Sequence, residues 1–203
     1  MKIILSVLFC LLSQIVLGDS PLTSTNFCSN YHENRMVLKA AKSDGIITQK
    51  QCKYLCNPKV KIDQKMALIN ALGWNIDGKN NFGILEQFLL SKYKVRSHID
   101  FEYFNGDELL SLGYLMAMDN YFETADALSI LEKAVKIKPK SYTYNIIYAL
   151  VAAQQQLNLD WCNVWKVCHA VSQNKGLDMD MKPEAIATIF DYISNYESSC
   201  SSK

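Results

Sequence analysis

Histidine, proline and glycine are scarce: three, four and eight respectively in 203 residues. So few turn-formers argue against a turn-rich β protein and for a helical one. His32, His98 and His169 lie far apart and in no metal-ligand spacing, so neither a metal nor a cofactor is expected. Charge of one sign is also missing, with 21 Lys and Arg against 20 Asp and Glu. That balance excludes a global basic field for nucleic acid or an anionic membrane. There is no Gly-x-Ser-x-Gly, no glycine loop to cradle a phosphate, and no Asn-x-Ser/Thr sequon, since Asn57 precedes Pro58. What remains is a chain 49% hydrophobic and 20% charged, which is neither disordered nor collagen-like.

One apolar run stands out, at the N-terminus. Lys2 precedes the mostly apolar Ile3 to Leu12, Ser13 and Gln14 break the run, and Val16-Leu17-Gly18 places small residues before Asp19. This is the pattern of a secretory signal peptide over 1–18. The run is short of the roughly 20 residues that span a bilayer, so no membrane insertion is expected once it is removed. The expected organisation is a leader at 1–18, an N-terminal extension at 19–27, one helical domain at 28–200 and a tail at 201–203. Loss of Lys2 leaves the mature chain with no net charge.

Seven cysteines become six when Cys10 leaves with the leader: Cys28, Cys52, Cys56, Cys162, Cys168 and Cys200. An even number in an oxidising compartment reads as three disulfides, with fifteen connectivities open. Cys52 and Cys56 share a helical face, and Cys162 and Cys168 are separated by about 9 Å of helical rise, so both pairs are expected to bond outward. Either each end of the chain is tied down separately, or the disulfides clasp the two ends together.

Helical periodicity runs through almost the whole sequence. A first helix is expected over Tyr31 to Lys42, stopped by Asp44-Gly45. Thr48 and Gln51 match a capping box for a short helix to Cys56, which Asn57-Pro58 ends. Met66, Ile69 and Leu72 recur at helical spacing, as do Ile84, Leu85, Phe88 and Leu89. Tyr93 to Asn105 carries some strand-like alternation. Asp107 caps a helix to about Asp119, and Phe122 to Lys138 forms another. Ser141 caps Tyr142 to Leu157, Asp160 caps Trp161 to Asn174, and Pro183 opens the last helix. The fold class is all-α, with about eight short helices stapled by disulfides.

Two partial resemblances follow from particular residues. Leu112-Gly113 through Ala127, Leu131, Ala134 and Pro139 resembles a tetratricopeptide unit, with two extra residues between Gly113 and Ala127. Ala71-Leu72-Gly73-Trp74 and Tyr148-Ala149 echo it before and after. The resemblance implies αα-hairpin stacking in the middle of the chain. Cys52-Lys53-Tyr54-Leu55-Cys56 resembles the Cys-x3-Cys pair of insect odorant-binding proteins, and Cys28 lies 23 residues before it. The similarity covers about 30 residues, and the spacings after Cys56 depart from that family.

Residues with catalytic potential are few. Cys168 and His169 are neighbours, but adjacent helical side chains point about 100° apart. Ser43-Asp44-Gly45-Ile46 has the centre of an EF-hand loop, yet Ala40, Lys42 and Gln51 stand where carboxylates should be. The paired carboxylates Asp178 with Asp180, and Asp100 with Glu102, lie in polar stretches where a raised pKa is hard to arrange. Catalysis is therefore not expected. Among eight Phe, eleven Tyr and three Trp, the periodicity turns Phe88, Tyr114, Phe122, Tyr144, Tyr148, Trp165 and Phe190 inward, as core or as the lining of an apolar cavity. The expectation is a secreted, non-enzymatic protein that binds a protein partner, such as a salivary, venom or parasite effector acting on a host. The alternative is an extracellular carrier of a small hydrophobic ligand.

Overall fold

Local capping chemistry explains most of the helix boundaries in the computed structural model, which describes residues 20–95 and 101–201. Among these residues lie nine α-helices: α1 (Arg35–Ala41), α2 (Gln49–Leu55), α3 (Ile62–Leu72), α4 (Asn81–Tyr93), α5 (Gly106–Asp119), α6 (Ala125–Ile137), α7 (Tyr142–Gln156), α8 (Trp161–Gln173) and α9 (Pro183–Ile193). Short 3₁₀ turns cover Phe27–Tyr31, Phe101–Tyr103 and Ser194–Cys200. No strand occurs among the described residues, so the chain is all-α there, and no helix is long and apolar enough to cross a membrane. The expected leader with Cys10, as well as His98, Asp100 and 202–203, lies outside the described residues.

The capping box at α2 forms as expected. Thr48 Oγ1 accepts from the Gln51 N–H, and Gln51 Oε1 accepts from the Thr48 N–H. Ser141 accepts from the Tyr144 N–H and Asp160 from the Cys162 N–H. Two starts differ from expectation. Asn34 caps α1 by accepting from Met36 and Val37, so the single helix expected over Tyr31 to Lys42 is a 3₁₀ turn followed by a shorter helix. At α5 the cap is Asn105, in a capping box with Glu108, because the Asp107 carboxylate is engaged by lysines from other helices.

Helix α5 is the axis of the core. Every residue of it except Asp107 and Met116 is buried, as befits a helix apolar on nearly all sides. It packs against α3, α4, α6 and α7. Leu109, Leu110, Leu112 and Leu115 are each removed from water, at about 2 kcal/mol apiece. The crossing with α6 is close because Gly113 has no side chain. A Cβ there would stand 2.6 Å from Leu131 Cγ and 3.2 Å from the Ala127 carbonyl. The small residues of the tetratricopeptide-like unit thus meet at this crossing. Its upstream echo does not reproduce the geometry, since Gly73 ends α3 at φ 66° instead of lying within a helix.

Residues 20–27 pack onto the helical body. Leu22, Thr25 and Phe27 are buried, and the Leu22 N–H donates to Gln154 Oε1 on α7. The disulfide expectation is also revised. Cys162 and Cys200 are joined with Cα atoms 4.7 Å apart, which ties Ser194–Cys200 back to α8. Closing those 38 residues is worth about 4 kcal/mol in the chain-entropy model. Cys28, Cys52, Cys56 and Cys168 are thiols, so among the described residues one disulfide stands where three were expected. Three cysteines at each end cannot all pair within their own end. Of the aromatics expected inside, Tyr114 and Tyr144 are fully buried. Phe88, Tyr148, Trp165 and Phe190 are half-buried at the edge of the core. Phe122 is 63% exposed, because α6 begins at Ala125 and leaves it in the preceding turn.

Candidate functional site

A cleft of about 410 Å³ opens between the N-terminal segment, the Phe27–Tyr31 turn, α1 and the ends of α3 and α5. Its apolar wall is made by Leu22, Val37, Leu38, Trp74 and Met118, and its polar side by the exposed Asn26, Ser29 and His32, with the buried Asn70 beside Cys28 at the floor. Among the described residues, no lysine, arginine or carboxylate lines it.

One buried side chain holds the floor together. Asn70, on α3, accepts from the Cys28 N–H at 2.9 Å and donates to the Thr25 carbonyl at 3.0 Å and to Tyr114 Oη at 3.2 Å. That amide joins the N-terminal segment to α3 and α5, and both of its N–H donors are engaged. The mouth is set by Gly73, whose positive φ turns the chain so that Trp74 follows at the rim. Lys79 Nζ seals the end of α3 by donating to the Leu72 and Gly73 carbonyls at 2.6 and 3.0 Å. Beyond the mouth, Trp74 meets Tyr121 edge-on at 5.1 Å, and Tyr121 lies 4.2 Å from the exposed Phe122 ring. Cleft and aromatic shelf are therefore continuous.

The thiols are poor nucleophiles where they stand. Burial pushes Cys28 and Cys52 up to about 11, and Cys56 and Cys168 up to about 12, so each is a neutral thiol at neutral pH. Cys28 Sγ lies 2.9 Å from Asn26 Oδ1, not on an imidazole. His169 stacks on Trp165 at 4.6 Å, so the neighbouring Cys168 and His169 form no thiolate–imidazole pair.

The EF-hand-like loop is filled by protein. A Cβ on Gly45 would collide with Lys79 Nζ and stand 2.5 Å from the Leu72 carbonyl. Asp44 accepts from the Ile46 N–H in an ordinary turn. Asp180 accepts from the Thr143 N–H at 2.8 Å and Ser141 Oγ at 2.5 Å, while the backbone of Asp178 pairs with Lys140 and Tyr142. These two aspartates strap the chain before α9 onto the start of α7, which is a structural duty. Glu102 is exposed. Among the described residues, no three His, Cys, Asp or Glu side chains are grouped to hold a metal.

Sequence reasoning missed two carboxylate centres at the start of α5. Asp107 accepts from Lys65 at 2.7 Å, Lys138 at 2.8 Å and Tyr144 Oη at 2.5 Å. Burial alone would raise its pKa, but these three donors outweigh it and hold the carboxyl at about 2. Glu108 accepts from Lys92 at 2.5 Å and Tyr93 at 2.9 Å. Their partners come from three other helices and the segment after α6, so no local pattern marks them. Asn70 was equally hidden. The available signal was a lone amide inside an otherwise apolar helical face.

The chain matches no protein-family model, and neither a curated protein nor a solved structure is significantly similar to it.

Proposed function

We propose that the chain is a secreted, non-enzymatic helical protein that acts by binding a protein partner, as an effector acting on a host would. The observation that supports this most is the exposed Phe122 ring, backed by the buried Tyr121 and the half-buried Trp74, beside an uncharged cleft. An exposed aromatic ring held in place by its neighbours is a usual anchor of a protein interface. The partner segment that suits it is apolar and uncharged. The tetratricopeptide-like stacking of α5 to α8 belongs to the same reading and draws support from the close Gly113 crossing.

The test begins with eukaryotic expression and N-terminal sequencing of protein from the medium. A start at Asp19 supports secretion, and retention of the intact N-terminus in cells counts against it. A photo-crosslinking residue is then placed at Phe122, with a control at exposed Lys166 on α8, and incubated in host fluid. The expected result is an adduct at 122 that is competed by unlabelled wild type but not by a Trp74→Ser/Phe122→Ser variant. Equal adducts at both positions would remove the shelf as the interface.

A second reading, an extracellular carrier of a small hydrophobic ligand, is favoured by the cleft itself. A cavity of about 410 Å³ lies within the usual range of small-molecule sites. It is lined by Trp74 and aliphatic residues, not by the inward aromatics first expected to form it.

A further inference from the structure

We propose that the cleft between α1, the Phe27–Tyr31 turn and the ends of α3 and α5 binds a small uncharged molecule with an apolar body and a hydrogen-bond acceptor at its head. This deepens the carrier reading and is independent of the partner-binding one.

Size excludes a folded segment. A helix about 10 Å across rises 5.4 Å per turn, so about 410 Å³ holds roughly one turn of it. A small molecule of modest length fits the same space. Charge narrows the chemistry further. With no lysine, arginine or carboxylate in the lining, an ionic head would be desolvated with no counter-charge.

The polar groups specify the head. Both N–H donors of Asn70 are engaged, as described above. Asn26 Oδ1 accepts from the Cys28 thiol, and the amide N–H₂ of that exposed side chain is left to solvent. His32 is exposed on the same side of the cleft. Ser29 Oγ already donates to the Asn26 carbonyl. The Asn26 amide and the His32 ring N–H can therefore exchange water for a carbonyl, ester or ether oxygen on the ligand. The wall opposite is Val37, Leu38, Trp74 and Met118, which suits an alkyl or aromatic body. The floor is fastened by Asn70, so little ordering is lost on binding.

The test uses ten-carbon probes that differ only at the head: methyl decanoate, decanoate and decylammonium. Binding is read from Trp74 fluorescence in a Trp161→Phe/Trp165→Phe variant, in which Trp74 is the one indole left. Methyl decanoate is expected to give a saturable shift, with the two charged probes at least about tenfold weaker. Ala41→Phe, an exposed position on the cleft wall, should abolish the shift while adding no indole and leaving the far-UV dichroism unchanged. Native mass spectrometry of wild-type protein with the same probes gives a reading that needs no variant. No saturable response to the ester, or equal binding of the charged probes, would overturn the proposal. A copurifying small molecule held equally by wild type and Ala41→Phe would overturn this site while leaving the carrier reading in place.

Discussion

Helix α5 carries an aspartate at each end, and the two live in opposite electrostatic conditions. Asp107, in the first turn, faces the positive end of the helix and receives two lysines and a tyrosine. Asp119, the last residue, faces the negative end. Its Oδ2 accepts from the Phe82 N–H at 2.7 Å, which caps α4 from outside, but its buried Oδ1 has no hydrogen-bond partner. The nearby ammonium, Lys79, is turned toward the α3 carbonyls. Burial accordingly pushes the Asp119 carboxyl up to about 6, with the Phe82 N–H and Lys79 only partly opposing. Both carboxylates are sheltered and both have a lysine in reach. What separates them is the number of donors aimed at the oxygens and the sign of the helix end.

The largest test of this contrast is Lys65→Met. It strands Asp107 with two donors instead of three in a sheltered place, and should cost about 3 kcal/mol in urea unfolding. A loss below about 1 kcal/mol would mean Lys138 and Tyr144 suffice. Next is Gly45→Ala. It forces a Cβ onto the Leu72 carbonyl and against Lys79 at a φ of 79°, with an expected cost of about 2 kcal/mol.

Asp119→Asn is smaller and is read by pH. A carboxyl with a raised folded pKa favours the folded state below its unfolded value near 4 and gives up that contribution as pH rises through about 6. Asp107 acts in the opposite sense, supplying stability above about pH 4 and losing it as pH falls toward about 2. Together they place the optimum near pH 4. The urea-unfolding free energy of wild type should fall across pH 4 to 6, by about 1 kcal/mol after allowance for solvent screening. In Asp119→Asn that fall should flatten, whereas an unchanged slope would assign it elsewhere. The smallest expected effect is Phe122→Ser. The ring is 63% exposed, so stability should move by less than about 0.5 kcal/mol. That makes it a clean probe of the shelf.

Much of the helical plan was legible in the chain because caps and periodicity act within a few residues. Thr48 with Gln51, Ser141, Asp160 and Pro183 all mark helix starts where expected. Asp107 failed as a cap because Lys65, 42 residues earlier, competes for its carboxylate. Phe122 was assigned inward by extending a period three residues too far. The cleft was not legible at all. Its floor depends on Asn70 reaching Cys28 and Thr25, 42 and 45 residues away, and its back on Leu22 meeting Gln154 across 132.

The linear chain was enough to establish the helical class and most of the helix starts, since those follow from spacing, side-chain caps and composition. Which cysteines pair, which aromatics face water and which carboxylates find donors came from packing. Each of those outcomes turns on groups far apart in the chain meeting at hydrogen-bonding or bonding distance, and nothing within a dozen residues encodes such a meeting.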